Sequence, residues 1–274
     1  MAQLNSNKLA NNPLNNASTQ KSQVAIITVT YNASDFIADY LKSIKTLLMA
    51  DERFSVVIVD NASSDGTQKI ITDYIAQENL TQKITLHASN INAGFGAGCN
   101  AGASLVDGDV EYFWFLNPDT DFDPAAGLAL VKQLNSCADV CAVGSVLQDN
   151  NGEITVGAFR FPFAMTTFLS NACIGILDQC FPQYALHYSK TSEYDADWLT
   201  GASFMIRALA FKQVKGFDET FFLYFEEVDL FLRLKQSGYK ARICNESVVN
   251  HIAGASTGIN NNTQSGQLPR KPSY

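Results

Sequence analysis

The sequence has no long hydrophobic run and no surplus of positive charge, and these two absences exclude whole classes of protein. None of its apolar segments approaches the roughly 20 residues that a membrane-spanning helix requires. Lys and Arg total 19 against 27 Asp and Glu, so the formal net charge is −8 and no basic stripe is available for a phosphate backbone. Residues 1–22 also lack the apolar core of a signal peptide. We therefore expect a cytoplasmic protein that binds no nucleic acid.

Cysteine is scarce and unpatterned. The six cysteines show no CxxC spacing, which argues against a disulfide or zinc framework and favours reduced, buried thiols. They are Cys99, Cys137, Cys141, Cys173, Cys180 and Cys244. What the chain does have is apolar material for a core, since 46% of its 274 residues are hydrophobic. That length suits one large domain or two small ones.

The first half of the sequence alternates short apolar runs with helical patterns. Runs of this kind are typical of strands buried on both faces, and their alternation with helices predicts a parallel α/β sheet. The predicted strands are Val24–Thr30, Phe54–Asp60, Ile84–Ala88 and Tyr112–Leu116. The first helix is expected to have Ser34 or Asp35 as its cap and to bury Ile37, Leu41, Ile44 and Leu48.

The second half has a less regular pattern. It predicts helices over Pro124–Leu134 and Glu226–Gly238, a strand over Val140–Leu147, a hairpin turn at 150–152, and a strand running into a helix over Asp197–Arg207. Two short closing strands are expected at 239–244 and 247–252, and no element is assigned to 159–192. The chain should thus form a disordered arm (1–22), one domain (23–254, with halves 23–123 and 124–254) and a flexible tail (255–274).

Polar residues follow three of the predicted strands, at the sheet edge where open α/β folds bind ligands. Asp60 ends an apolar strand, where a carboxylate needs a partner, and a ligand N–H would serve. Asp119 lies in an NPDTD segment whose oxygen-rich spacing suits Mg²⁺ or Mn²⁺ bridging a diphosphate, although an Asx-Pro turn explains it equally well. The glycine-rich turn Asn92–Gly98 opens a helix, a context that favours anion binding.

The helix that begins at Glu226 contains three candidate acids. Glu226 and Asp229 share one face, and Arg233 follows Asp229 by four residues, so these two acids are expected to form an intrahelical charge network with Arg233. Glu227 has Leu230 and Phe231 at the pairing positions instead of a cation. Its pKa should therefore rise towards that of a general base. His251 is interpreted either as a core residue or as a metal ligand.

Seven segments, taken in order, resemble the family 2 glycosyltransferases of GT-A fold, and especially their bacterial rhamnosyltransferase-like branch. They are VTYN (Val29–Asn32), VDNASSDGT (Val59–Thr67), NAGFGAGCN (Asn92–Asn100), FLNPD (Phe115–Asp119), DWLTGASFMIR (Asp197–Arg207), GFDETFFLYFEEVDLFLRL (Gly216–Leu234) and HIAGAS (His251–Ser256). The resemblance implies a mostly parallel central sheet flanked by helices, with a mixed C-terminal part on the acceptor side.

The resemblance also implies a role for each site residue. Thr30, Tyr31, Asn32 and Asp60 would hold the nucleoside of a sugar donor, and Asn92, Gly94 and Asn100 would lie near its ribose and diphosphate. Asn117 and Asp119 stand where the family binds its metal, with Asn in place of the usual first acid, so that Asp119 would be the main metal ligand. Glu227 stands at the catalytic base, where many relatives have Asp. Asp197, Trp198 and Gly201 would line the acceptor site.

The activity implied is inverting sugar transfer that depends on Mg²⁺ or Mn²⁺. The donor expected first is dTDP-rhamnose, and a UDP-hexose is the runner-up. The acceptor would be a hydroxyl of a glycan or a lipid-linked saccharide in cell-surface polysaccharide synthesis, reached at the inner face of the membrane with at most peripheral contact. Two alternatives stay open, a sugar-phosphate nucleotidyltransferase and a non-catalytic nucleotide-sugar-binding module. The first predicts a basic loop after the first strand, where this chain has TYNASD.

Overall fold

The computed structural model describes residues 23–161 and 195–252. The predicted arm, most of the unassigned segment 159–192 and the predicted tail lie outside these ranges. Four parallel strands form one half of the sheet, in the order β3-β2-β1-β4. They are β1 (Val24–Thr30), β2 (Phe54–Asp60), β3 (Ile84–Ala88) and β4 (Tyr112–Leu116), joined by α1 (Ile37–Ala50), α2 (Thr67–Gln77) and α3 (Phe95–Ser104). The predicted strands are confirmed.

The start of α1 differs from the prediction. The helix begins after Phe36, which makes no side-chain cap, so neither Ser34 nor Asp35 is the cap residue. The backbone N–H of Ser34 donates instead to the Asp65 carboxylate at 2.9 Å. The loop before α1 is therefore fastened to the loop before α2 rather than to its own helix. The predicted buried face of α1 is confirmed, because Ile37, Leu41, Ile44 and Leu48 all lie in the core.

The second half of the described chain extends the sheet beyond β4 in the order β11-β6-β12-β5. Its strands are β5 (Thr120–Phe122), β6 (Val140–Gln148), β7 (Ile154–Thr155), β8 (Ala158–Phe159), β9 (Asp195–Ala196), β10 (Trp198–Leu199), β11 (Ser203–Arg207) and β12 (Lys240–His251), and its helices are α4 (Pro124–Ser136), α5 (Ala208–Gln213) and α6 (Glu226–Gln236). Because β11 runs antiparallel to both β4 and β6, this half of the sheet is mixed, as predicted.

The structure differs from the prediction in two elements of this half. The two closing strands are a single strand, β12, whose register against β6 shifts between Cys244 and Val248. The segment 197–207 forms two strands separated by a turn at Gly201, and the helix that follows begins at Ala208. The predicted hairpin turn is confirmed, since Gly152 adopts a φ of 77° between the antiparallel strands β6 and β7.

Helix α3 packs against the sheet through glycines, which leave no room for a side chain at these positions. A Cβ on Gly102 would meet the Ile27 side chain at 2.6 Å, and one on Gly98 would meet Val29 at 2.8 Å. Any larger residue would push the helix away from β1. The glycine-rich sequence therefore brings the start of α3 next to the carboxyl end of β1.

In the described part of the chain, the prediction of buried thiols is right for three of the four cysteines. Cys99, Cys137, Cys141 and Cys244 are free thiols, and all but Cys137 are buried. Cys173 and Cys180 lie outside the described residues. In the part of the chain that the structure covers, no helix has the length and apolar character needed to cross a bilayer.

Candidate active site

A cleft of about 810 Å³ opens at the carboxyl ends of β1, β2 and β4. This is the sheet edge at which ligands bind in open α/β folds. Nine of the predicted site residues line it: Tyr31, Asn92, Gly94, Asn117, Asp119, Trp198, Gly201, Glu227 and His251. The structure thus brings together predicted donor, metal, acceptor and base residues that are spread over more than 200 positions of sequence.

Asp60 is completely buried and does not line the cleft. Its carboxylate accepts hydrogen bonds from the Thr30 hydroxyl at 2.8 Å, the Ser63 backbone N–H at 2.9 Å and the Gln68 amide at 2.6 Å. The protein itself therefore supplies partners for the carboxylate, as the sequence analysis expected of a carboxylate at the end of an apolar strand. A contact between Asp60 and a nucleoside stays a prediction.

Asn32 and Asn100 also lie outside the cleft lining and hold the loops around it. Asn32 accepts a hydrogen bond from the Ser64 backbone N–H at 2.9 Å. Asn100 donates to the Phe217 carbonyl and accepts from the Phe217 N–H, both at 2.9 Å. The Asn100 side chain thus fastens the segment before α6 to α3.

Asp197 supports the cleft wall that carries Trp198, without lining the cleft itself. One of its carboxylate oxygens accepts from Lys235 at 2.7 Å, and the other accepts from the Phe161 N–H at 3.1 Å. Next to it, the indole of Trp198 stacks on Phe159 with ring centroids 4.3 Å apart. A flat aromatic wall therefore faces the cleft on this side.

Asn61 lines the cleft, and the sequence analysis missed it. The residue is only 3% exposed, and its amide donates to the Gly94 carbonyl at 2.9 Å and to Asn92 Oδ1 at 3.3 Å. It connects the end of β2 to the glycine-rich turn. The available signal was its position next to Asp60 in the VDNASSDGT segment.

Gly94 is the point where the glycine-rich turn meets the segment that leads into α6. Its φ is 91°, and a Cβ there would lie 2.1 Å from the Phe222 carbonyl oxygen. The same carbonyl accepts a hydrogen bond from the Phe95 N–H at 3.2 Å. Only glycine allows both the backbone conformation and this approach.

We expect Gly94→Ala to lower the free energy of unfolding by about 2–4 kcal/mol, because the substitution combines an unfavourable backbone conformation with overpacking. Chemical denaturation followed by circular dichroism measures this loss. Gly66→Ala is the matched control, because Gly66 also has a positive φ, of 95°, but has open space around it. Equal losses for the two variants would show that the contact with Phe222 is unimportant.

Asp119 and His251 meet at one wall of the cleft. Strand β5 pairs with β12 so that His251 lies opposite Thr120, and this register brings His251 Nε2 to 3.4 Å from Asp119 Oδ1. The Asp119 side chain is 1% exposed and that of His251 is 17% exposed. A carboxylate oxygen and an imidazole nitrogen therefore converge where the NPDTD segment leaves β4.

Glu227 lies at the start of α6, half-buried in the cleft wall. Its Oε1 accepts a hydrogen bond from the Gly201 backbone N–H at 2.9 Å. Burial raises the pKa of this carboxyl above its ordinary value, and the hydrogen bonds that it accepts from backbone N–H groups oppose the rise in part. The direction of this pKa shift agrees with the prediction for Glu227.

The prediction for the other two acids of α6 is right for one and wrong for the other. Asp229 pairs with Arg233 at 2.6 Å, as the helical spacing indicates. Glu226 takes no part in that network, because it is buried at 2% exposure and lines the cleft beside Glu227. Burial, followed by the negative charge of Glu227, raises the pKa of Glu226 to about 7.

Comparison with known proteins gives one family. The model of glycosyl transferase family 2 matches residues 25–229. The chain is 28% identical over 249 residues to an N-acetylglucosaminyl-diphospho-decaprenol L-rhamnosyltransferase of Mycobacterium tuberculosis, covering 85% of this chain and 77% of that protein. It is 25% identical over 223 residues to the rhamnosyltransferase WbbL of Escherichia coli, covering 79% and 78%.

Solved structures share the fold at low sequence identity. The mannosyltransferase PcManGT from Pyrobaculum calidifontis, in complex with GDP-Man and Mn²⁺, superposes with a TM-score of 0.60 at 18% identity, over 85% of this chain and 57% of that one. GalNAc-T7 with UDP, GalNAc and Mn²⁺ gives 0.59 at 14% identity, over 86% of this chain and 44% of that one. These likenesses confirm the GT-A fold, and the family match identifies the chain as a member of the family 2 glycosyltransferases.

Proposed function

We propose that the protein is an inverting, divalent-metal-dependent glycosyltransferase with Glu227 as its general base. One observation carries the proposal: a cleft carboxylate of raised pKa faces the same cavity as the Asp119–His251 pair. A base on one wall and a site for a charged diphosphate on another are what a single displacement at a sugar carbon requires.

The reaction moves one proton and exchanges one bond. Glu227 takes the proton of an acceptor hydroxyl, and the oxygen forms a bond to the anomeric carbon. The bond from that carbon to the nucleoside diphosphate breaks, and its electron pair leaves with the diphosphate. The attack comes from the face opposite the leaving group, so the configuration inverts, as in inverting hydrolysis with a hydroxyl in place of water. The Gly201 N–H keeps Glu227 Oε1 in place.

The residues present fit a divalent cation. Asp119 supplies a carboxylate oxygen and His251 an imidazole nitrogen, both of which Mn²⁺ accepts, and Mg²⁺ is bound through one or two carboxylates plus substrate phosphates. Within 23–161 and 195–252, no group of three or more His, Cys, Asp or Glu is arranged to hold a metal. Substrate oxygens would therefore complete the shell, and the bound ion would stabilise the negative charge that develops on the departing diphosphate.

We propose dTDP-rhamnose as the donor and a hydroxyl of a lipid-linked saccharide as the acceptor. The support is the pair of relatives named as rhamnosyltransferases, one of which is named for an acceptor on decaprenyl diphosphate. A UDP-hexose is the second donor to test. The aromatic wall of Trp198 and Phe159 offers the flat apolar surface against which an acceptor sugar ring can pack.

The test is a panel of nucleotide sugars incubated with Mn²⁺ and a synthetic polyprenyl-diphosphate-linked N-acetylglucosamine. We expect dTDP release and a product larger by one deoxyhexose, measured by mass spectrometry, with the anomeric configuration assigned by NMR. If only a UDP-hexose serves as donor, the proposed donor is wrong but the proposed mechanism is not contradicted. Retained configuration, or undiminished transfer in EDTA, would contradict the mechanism.

A further inference from the structure

Four consecutive large apolar side chains line the cleft and are exposed. Phe222, Leu223, Tyr224 and Phe225 are 57%, 44%, 56% and 61% exposed. We call residues 222–225 the apolar patch. Contiguous apolar surface of this kind is uncommon on soluble proteins outside sites that bind a partner or a ligand. The mechanism above gives the patch no role.

The backbone holds the apolar patch in place. Tyr224 and Phe225 have φ of 70° and 71°, in the left-handed region that bulky residues rarely adopt. The Phe222 carbonyl accepts a hydrogen bond from the Phe95 N–H at 3.2 Å, and the Phe225 carbonyl accepts one from the Asp229 N–H at 3.0 Å. Strained backbone that its surroundings hold in place is typical of ligand-binding sites. The exposure of the patch is therefore part of the fold and does not result from a loose loop.

The cleft also contains a guanidinium group. Among the described residues that line it, Arg160 is the only lysine or arginine, and it shares the cleft with the acids Asp119, Glu226 and Glu227. The Arg160 carbonyl accepts a hydrogen bond from the Trp198 indole N–H at 3.1 Å, which fixes the Arg160 backbone to the cleft wall. A guanidinium binds phosphate oxygens through paired hydrogen bonds. The cleft thus offers both features that an apolar chain ending in a phosphate group needs.

We propose that the apolar patch binds the polyisoprenyl chain of the acceptor, and that Arg160 binds the diphosphate that joins this chain to the saccharide. The inference rests on the proposed function, which supplies a lipid-linked acceptor. In such a molecule only a diphosphate separates the chain from the reacting sugar, so the chain-binding surface must lie in the same cleft as the general base. The patch meets this requirement, because Phe225 precedes Glu227 by two residues and both line the cleft. Burial of the chain against the four side chains supplies the binding free energy.

The kinetic test varies the length of the acceptor chain in the absence of a membrane. The acceptors are methyl, geranyl and farnesyl esters of N-acetylglucosamine diphosphate, below their micelle-forming concentrations and without detergent, with Mn²⁺ and the donor that the panel identifies. Each buried methylene is worth roughly fourfold in affinity, so we expect kcat/KM to be at least about 30-fold higher for the farnesyl ester than for the methyl ester. Equal values of kcat/KM for the three esters would overturn the proposal.

Leu223→Gln should remove much of this preference, and Leu209→Gln is the matched control. The two leucines are 44% and 49% exposed, but Leu209 lies on α5 and does not line the cleft. We expect the farnesyl-to-methyl ratio of kcat/KM to fall by about fivefold or more in Leu223→Gln and in Phe222→Gln, and to be restored largely in Phe222→Leu, which keeps an apolar side chain. A ratio that is unchanged in both patch variants, or that falls equally in Leu209→Gln, would contradict the proposal.

A binding test needs no activity. The probe is farnesyl diphosphate, which carries no sugar, and its affinity is measured by calorimetry with dTDP and Mn²⁺ present to occupy the donor site. We expect Leu223→Gln to bind the probe about fivefold or more weakly than the parent, and Arg160→Gln about tenfold or more weakly, because it loses hydrogen bonds to a charged group. Inorganic diphosphate is the control probe, whose affinity should fall in Arg160→Gln but not in Leu223→Gln. Equal binding of farnesyl diphosphate by the parent and both variants would contradict the proposal.

Other occupants of the apolar patch give different results. If Leu223→Gln weakens binding to vesicles of phosphatidylethanolamine and phosphatidylglycerol but leaves the farnesyl-to-methyl ratio unchanged, the patch contacts the bilayer and the proposal is wrong. The proposal is also wrong if Leu223→Gln converts a dimer to a monomer, measured by light scattering, and leaves the ratio unchanged.

The kinetic and binding tests separate the inference from the proposed function. If no nucleotide sugar is turned over but farnesyl diphosphate binds to the parent and the variants as expected, the lipid site is supported and the proposed reaction is wrong. If sugar is transferred equally well to the methyl and farnesyl esters, the proposed reaction is supported and the lipid site is wrong.

Discussion

Replacing Glu227 with Gln is expected to lower turnover by roughly 100-fold or more while leaving donor affinity nearly intact. The amide has the same shape, and its oxygen can still accept the Gly201 N–H that now binds Glu227 Oε1 at 2.9 Å. It cannot accept the proton of an acceptor hydroxyl. The loss should therefore appear in kcat, with little change in the donor dissociation constant measured by calorimetry.

Asp229→Asn is the control for this prediction. Asp229 lies on the same helix but pairs with Arg233, with both side chains about one quarter exposed. Its loss should lower the free energy of unfolding by less than about 1 kcal/mol and leave kcat near that of the parent. If Glu227→Gln retains near-normal turnover while Glu226→Gln or Asp229→Asn abolishes it in a folded protein, the base is another acid of α6.

The parallel half of the fold could be predicted because its strands are buried on both faces. Burial on both faces makes a strand an uninterrupted apolar run, and the runs at Phe54–Asp60 and Tyr112–Leu116 coincide with β2 and β4. The alternation with helices then fixes the parallel direction. No long-range information is needed for either step.

Two features could not be predicted, because contacts distant in sequence determine both: the residue at which α1 begins, and the continuity of β12 as a single strand. The backbone N–H and the side chain of Ser34 both hydrogen-bond to Asp65, 31 residues away, so the Ser34 hydroxyl does not cap its own helix. The polar residues Asn245 and Glu246 look like a break between two strands. The strand continues past them with a shift in register, and Ser247 is held in place by a buried hydrogen bond to Ser145 at 2.8 Å.

The positions of the acids of α6 could also be predicted only in part from the local sequence. Helical spacing places Glu226 and Asp229 on one face, and it correctly pairs Asp229 with Arg233. Arg233 also donates to the Val214 carbonyl, which keeps the guanidinium at α5 and away from Glu226. The chain enters α6 through Tyr224 and Phe225, with φ of 70° and 71°, and the first acid that follows lines the cleft. Neither feature is visible in the local sequence.

Replacing Asp119 with Asn is expected to remove most metal-dependent activity. The substitution keeps the size of the side chain but removes the negative charge that, with His251 at 3.4 Å, forms the proposed cation site. Since even the hydrogen-bond partners of metal ligands are typically worth about 10- to 100-fold in affinity or activity, we expect a loss of roughly 100-fold or more at low Mn²⁺. Calorimetric titration of Mn²⁺ with dTDP present should show a matching fall in affinity.

Asp121→Asn is the control for Asp119→Asn. It tests whether the cation needs Asp119 itself or only the negative charge of the NPDTD segment. Asp121 lies two residues further on but accepts a hydrogen bond from Asn250 at 2.7 Å and does not line the cleft. It carries the same charge, so general electrostatic attraction of the cation predicts similar losses for the two variants. Direct ligation predicts a large loss for Asp119→Asn alone. Undiminished activity of Asp119→Asn in EDTA would show that the transfer needs no metal at this position, and the charge on the diphosphate would then have to be stabilised by the protein alone.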